Sequence, residues 1–141
     1  MSLSENLSDI SLHYFALMRK IASKFELTLS QALVLLYIPF DGITISNLSN
    51  KLGIDISTMT RNIQRIQIKG LISKQPNLDD KRSIKVKLSN RGQKVVQSLN
   101  QDIETNIDHI FQKHDFEDIQ KMHDILESLG WELYLYRQDI E

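Results

Sequence analysis

Arg61 and Arg65 stand four residues apart, so on a helix they project from neighbouring turns of one face. A guanidinium can donate two parallel hydrogen bonds to the paired acceptors of guanine, and Gln64 between them can pair with adenine. Ser57, Thr58 and Thr60 come just before. Short hydroxyls at a helix start can contact phosphate, and the first-turn amides favour the same anion. All six are expected to face away from Met59, Ile63 and Ile66, which repeat at helical spacing. A second group is Asp80-Lys81-Arg82. An arginine at a hairpin tip can reach into a minor groove, where narrow A·T-rich tracts concentrate negative potential. Asp80, two residues away, is expected to hold that guanidinium in one orientation, because a carboxylate beside a polyanion is otherwise repelled. Lys74, Lys81 and Lys85 would add phosphate contacts.

Other chemistry finds little to work with. The 141 residues include no cysteine, which removes disulfides, thiol catalysis and thiolate metal sites together. The four histidines, His13, His109, His114 and His123, fall in no metal-ligand spacing; His109 and His114 are five apart, a poor alignment on a helix. No HExxH, GxSxG, Walker loop or GxGxxG is present, so neither an enzyme nor a cofactor is expected. Asp79-Asp80 are adjacent, but their basic setting argues against acid–base catalysis.

The net charge of −1 hides a division. Residues 51–94 carry eleven Lys or Arg against three acids; the totals of 17 and 18 leave six basic and fifteen acidic residues elsewhere. A split of this size suggests that the middle of the chain meets a polyanion while the ends do something else. No apolar run approaches the ~18 residues of a membrane span. The first ten residues lack a basic start and an apolar stretch, so no signal peptide is visible and the expected location is cytoplasmic.

These residues need elements to hold them. Leu3, Leu7, Ile10, Tyr14, Leu17 and Ile21 step by 4, 3, 4, 3, 4, which predicts a helix with a narrow apolar seam suited to packing on another helix, from this chain or a second copy. Thr28 or Ser30 can cap a helix through Leu33, Leu36 and Tyr37. Ser46 is expected to cap a short helix, Asn47 to Leu52, stopped by Gly53; Asp55 caps the next, which Gly70 ends. Two helices joined by a short turn containing glycine make a helix-turn-helix. After Gly70 the period changes to two: Leu71 to Lys74 and Ser83 to Leu88 read as strands around a turn-rich basic tip. A helix-turn-helix followed by such a hairpin is a winged helix. Ser89 caps a long helix with Val95, Leu99, Ile103 and Ile107 inside. Asp115 caps a last one with Phe116, Ile119, Met122, Leu126, Leu129, Leu133 and Tyr136 in its stripe. Trp131, Tyr134 and Tyr136 are expected in dimer or core contacts. The fold class is mainly α with a small β-hairpin wing: one domain over 1–141, with the winged helix-turn-helix at 27–89 and dimerisation helices at 1–26 and 90–141.

The stretch from Leu27 to Gly92 resembles the MarR family of transcription regulators. It comprises LTLSQALVLL, then ISNLSNKLGIDISTMTRNIQRIQIKGLI, then DDKRSIKVKLSNRG. Asp80-Lys81-Arg82 matches the family's D-x-R wing motif, and Leu88-Ser89-x-x-Gly92 follows at the expected distance. The resemblance implies a homodimer that binds palindromic operator double-stranded DNA and is often released by a small ligand. His13, Phe15, Arg19 and Tyr37 could give aromatic surface and a cation to a small phenolic or other aromatic effector. Asn62 and Ile56 depart from the pattern: an apolar residue is usual at the first position, polar residues at the second. A winged helix used for protein contact and a zinc-sensing regulator are the alternatives.

Overall fold

The computed structural model describes residues 1–140. They divide into two compact units, Met1–Ile103 and the residues from Glu104 onward. In the first, Ser2 and Glu5 form a capping box that starts α1 (Leu3–Ser23), and Thr28 with Gln31 does the same for α2 (Leu29–Leu36). Each box satisfies two of the amides a helix start leaves without partners. Strand β1 (Ile43–Thr44) leads directly into α3 (Ile45–Leu52). Thr44, not Ser46, is the cap: its backbone is extended and its hydroxyl accepts the Asn47 N–H at 3.1 Å. Ser46 already lies inside the first turn and cannot play that part. Gly53 ends α3 at φ 65°, the left-handed region where a side chain would be strained. Asp55 then caps α4 (Ile56–Ile68), so the helix-turn-helix stands with Gly53 and Asp55 as predicted and only the cap of α3 moved.

The wing is a three-stranded sheet, order β1-β3-β2, rather than a bare hairpin. β2 (Ile72–Pro76) and β3 (Ile84–Leu88) are antiparallel, with Ile72 opposite Leu88 and Pro76 opposite Ile84; β1 pairs on the other edge, Ile43 opposite Val86. Two residues are too short for an alternating pattern, so β1 left no sequence signal. Pro76 is tolerated because β2 is an edge strand. Helix α5 (Asn90–Phe111) follows. The Ser89 hydroxyl accepts the Gly92 N–H at 3.0 Å and donates to the Gly70 carbonyl at 2.6 Å, while the Ser89 N–H donates to the Leu71 carbonyl at 3.0 Å. Gly92 is required by this closeness: a Cβ there would lie 1.9 Å from the Leu71 oxygen.

One core joins these elements. Ile21 and Ala22 of α1, Ala32, Val34 and Leu35 of α2, Leu48 of α3, Met59, Ile63 and Ile66 of α4, Val86 of β3 and Leu99 of α5 are buried together. Burying each of the valine, leucine, isoleucine and methionine side chains among them stabilises by about 1.5–3 kcal/mol, and the α4 trio fixes which face of that helix looks outward.

In the second unit, Asp115 caps α6 (Phe116–Asp139) by accepting the Asp118 N–H at 2.8 Å. Glu117 and Asp118 suit the positive end of the helix dipole. No residue of α6 is buried, although Ile125, Leu126, Leu133, Tyr134 and Leu135 are exposed apolar residues along it. The Trp131 and Tyr134 rings stack at 5.4 Å between centroids.

Candidate nucleic-acid interface

The 13 residues of α4 present two faces. Met59, Ile63 and Ile66 are fully buried, while Ser57, Arg61, Gln64 and Arg65 are exposed and Thr58 and Thr60 are half-buried. The start of this helix is held firmly. One Asp55 carboxylate oxygen accepts the Thr58 N–H at 2.9 Å and the other accepts the Thr58 hydroxyl at 2.7 Å. These bonds, the backbone one first, hold the Asp55 carboxyl below its ordinary range against a small opposing effect of burial; the positive charge of Arg61 adds to them. The Thr58 hydroxyl therefore serves the cap, and its remaining capacity is as an acceptor.

Asn62 is not a base-contacting candidate. It is 7% exposed, and its amide donates to the Ser30 hydroxyl of α2 at 2.7 Å. The spacing 59–62–63–66 places it on the inner stripe, a signal present in the sequence but obscured by its polar side chain. Ile56 is exposed at the helix start. Lys69, counted with the basic segment, also turns inward: its ammonium donates to the Glu26 carbonyl and, at 3.3 Å, to Gln31 Oε1.

The second group sits in the turn between β2 and β3, where Asp80, Lys81 and Arg82 are all exposed. Asp80 does not hold the Arg82 guanidinium: among the described residues no ion pair joins them. Its carboxylate instead accepts the Arg82 backbone N–H at 3.0 Å, and its carbonyl accepts the Ser83 N–H at 3.2 Å and the Ser83 hydroxyl at 3.1 Å. This is the turn-forming use of an aspartate, bonding to backbone two residues on, and it leaves the guanidinium free to reach outward. Asn77, within the turn-rich segment 75–82 expected from the sequence, closes the other side, donating to the Ser83 hydroxyl at 2.9 Å and accepting the Asp79 N–H at 3.3 Å. Lys74 on β2 and Lys85 on β3 are half-buried. Among the described residues no hydrogen bond or ion pair links the α4 group to the wing tip, so the fold presents two separate cationic surfaces joined through Gly70 and Leu71.

A cleft of about 670 Å³ lies among α1, α2, α3 and α5 of the first unit, lined by Tyr14, Phe15, Tyr37 and Lys51 among others. His13 and Arg19 are not in its lining; the cation beside the aromatic rings is Lys51, 5.5 Å from the centre of the Tyr37 ring. Burial, and then Tyr37, push the Tyr14 phenol above its ordinary value. Among the described residues no group of three or more His, Asp or Glu could hold a metal ion. None of the described helices is long and apolar enough to cross a membrane.

A helix-turn-helix with a polar outer face, followed by a sheet with a basic tip, defines the winged helix-turn-helix class. The sequence pattern of the family Transcriptional regulator SarA/Rot matches residues 16–99, more than half of the chain, and the chain belongs to that family. It is thus a winged-helix transcriptional regulator, and the family is one of regulators rather than enzymes. No curated protein sequence matches the chain. Among solved structures, wild-type MarR from E. coli in its apo form is 22% identical over 92% of this chain and 96% of that one, with a TM-score of 0.81. MarR from Peptoclostridium difficile DA00132 is 20% identical over 100% and 93%, with a TM-score of 0.85. A mutant MarR from E. coli complexed with operator DNA is 22% identical over 90% and 92%, with a TM-score of 0.75. At these identities the likeness is one of fold, and the fold expected from the MarR resemblance is the one observed.

Proposed function

We propose that the chain acts as a homodimer that binds palindromic operator double-stranded DNA sequence-specifically, with α4 in the major groove and the wing tip in the flanking minor groove. The observation that carries this is the division of α4: three buried apolar residues lock one face while Arg61, Gln64 and Arg65 stand exposed on the other. Ser57 and Thr60 at its start contact phosphate, while Thr58, whose amide and hydroxyl protons are both given to Asp55, holds the cap in place; Arg61, Gln64 and Arg65 meet base edges, and Lys74, Lys81 and Arg82 engage the backbone and minor groove. Asp80 shapes the tip. The operator complex of the structurally similar E. coli protein supports the same use of this fold. Two copies follow from unsatisfied apolar surface: α6 buries none of its 24 residues, and Leu3, Ile10 and Leu12 of α1 are exposed. Half-sites would then lie about one DNA turn apart, roughly 34 Å. The place of action this implies is the cytoplasm.

Release by a small ligand belongs to the same proposal. The cleft beside α2 offers aromatic surface from Phe15 and Tyr37, a phenol kept neutral at Tyr14 and the cation of Lys51, a set suited to a small phenolic acid. The test is selection of duplexes from a random pool, followed by titration of the selected and a scrambled duplex with and without phenolic acids, and light scattering of the free protein. A common palindromic motif, a dimeric mass and tighter binding to the selected duplex are expected. Equal affinity for both duplexes at every salt concentration refutes sequence-specific binding, and a monomeric mass at micromolar concentration refutes the homodimer.

A further inference from the structure

Asn62 lies on α4 and Lys69 caps its end, seven residues on, two turns along one face and about 10 Å in rise. Each makes a polar contact to the neighbourhood of the first turn of α2. Asn62 donates to Ser30 at 2.7 Å; Lys69 donates to Gln31 at 3.3 Å and to the Glu26 carbonyl. The receiving groups are themselves fixed. Gln31 is 4% exposed and closes the α2 capping box, accepting the Thr28 N–H at 3.2 Å. Glu26 holds a left-handed backbone, φ 57°, in the turn that follows α1. Between these two ties the contact of α4 with the core is apolar, through Ile63 and Ile66.

Apolar contacts are non-directional: Ile63 and Ile66 resist separation of the helices but tolerate a small rotation or slide. A hydrogen bond does not, since it weakens steeply with misalignment. A buried amide contributes little net stability compared with a well-packed apolar residue, and its usual gain is a single arrangement of the elements it joins. We infer that Asn62 and Lys69 are positioning residues for DNA recognition: tied to residues 26–31 at two points, they set the rotation and slide of α4, and hence the direction in which Arg61, Gln64 and Arg65 point. The inference rests on the proposal that α4 reads DNA. It also gives Lys69 a role other than the phosphate contact its charge suggests.

The test removes the ties without leaving an orphaned polar group. Ser30→Ala combined with Asn62→Leu replaces both partners of one bond with apolar groups, a change expected to keep the melting temperature at or above that of the parent. Lys69→Met removes the other. Three quantities are read: hydrogen exchange of α4 amides without DNA, the affinity ratio between the selected operator and a scrambled duplex, and the dependence of binding on salt. The positioning role predicts faster exchange confined to α4 and an affinity ratio at least about tenfold lower in each variant, the scale of one bidentate base contact. It also predicts an unchanged salt slope, because no phosphate contact is lost. An unchanged affinity ratio in the folded double variant overturns the inference. So does a salt slope reduced by about two in Lys69→Met, one contact from each protomer, which makes that residue a phosphate contact. If the parent chain does not distinguish the duplexes at all, the inference falls with the proposal it rests on. Faster α4 exchange in the variants would still show the ties acting on the helix, which separates that failure from a failure of the ties themselves.

Discussion

Replacing Gly92 with alanine tests how the wing is held. The new Cβ would sit 1.9 Å from the Leu71 carbonyl oxygen and 2.9 Å from its carbon, where separations under 3.0 Å essentially do not occur. The obstructing atoms are backbone, so no side chain can swing aside, and the Leu71 peptide must retreat by more than 1 Å. Crowding of this kind costs about 1–3 kcal/mol. Loss of the Ser89 N–H bond to the Leu71 carbonyl adds about 1 kcal/mol, while alanine recovers about 1 kcal/mol over glycine within a helix. The net is a loss of about 1–3 kcal/mol, or roughly 4–12 °C in melting temperature for a chain of this size. Leu71 directly precedes β2 and Ser89 follows β3, so a shift here tilts the whole strand pair; if Lys81 and Arg82 lift from the duplex in both protomers, four contacts are lost and the salt slope falls by about 3.6. Gly70→Ala is the control. Nothing lies within 4 Å of its Cβ, but its φ is +74°, so it should lose about 1–2 kcal/mol through backbone strain alone and leave the salt slope unchanged. Thermal melting at one fixed protomer concentration and anisotropy titrations at several salt concentrations check both. A Gly92→Ala protein that melts at or above the wild-type temperature refutes the steric reasoning. One that melts lower but keeps the full salt slope refutes the link from strand base to wing tip.

Arg82→Ala is expected to weaken operator binding about tenfold or more, and Lys81→Ala only about two- to threefold, because the Asp80 turn presents Arg82 for a groove while Lys81 meets backbone phosphate alone; equal losses in competition titrations would speak against minor-groove insertion. The Asp55 cap should titrate. Its carboxyl is held by the Thr58 bonds below the ordinary aspartate value of 3.8, so the capping contribution is fully present above that pH and is lost as pH falls through the depressed value. Asp55→Asn keeps an acceptor but does not ionise, so the difference in melting temperature between it and the parent should shrink below pH 3.8; a constant difference from pH 7 to pH 3 would show that the charge plays no part.

Much of this architecture was legible because local punctuation and global packing agree. Asp55, Gly53, Gly70, Ser89 and Asp115 each do in the fold what their chemistry suggests in isolation, and the stripes of Met59, Ile63 and Ile66 and of Ile21 and Leu99 all find the core. What escaped was of two kinds. β1 and the Thr44 cap depend on a strand partner 43 residues away, Val86 opposite Ile43, and a two-residue strand has no period of its own. The inward turns of Asn62 and Lys69 depend on acceptors in the first turn of α2 and at Glu26, and residue type alone assigns an amide or an ammonium to the surface. Asp80 belongs with the second kind: the pairing expected with the Arg82 guanidinium is replaced by a bond to the Arg82 backbone, which a turn offers at closer range.

The same inward turns alter what the charge of the segment 51–94 means. Eleven cations suggest eleven phosphates, yet Lys69 is bonded within the fold, and Lys51 and Lys87 lie over the rings of Tyr37 and Phe40. Arg91 and Lys94 belong to α5, outside both cationic surfaces. Arg61, Arg65, Lys74, Lys81, Arg82 and Lys85 remain. With about 0.9 counterions released per neutralised phosphate, six contacts in each of two protomers bound the salt slope near −11, whereas eleven in each would carry it toward −20. Since Arg61 and Arg65 are assigned to bases, the slope for the selected operator should fall short of −11, and the slope for unrelated DNA, where those two side chains revert to phosphates, should be the steeper. A slope for the operator near −20 would mean that the helix ties and ring contacts open on binding and that Arg91 and Lys94 of α5 reach the duplex as well, so that the free chain hides its binding surface instead of presenting it.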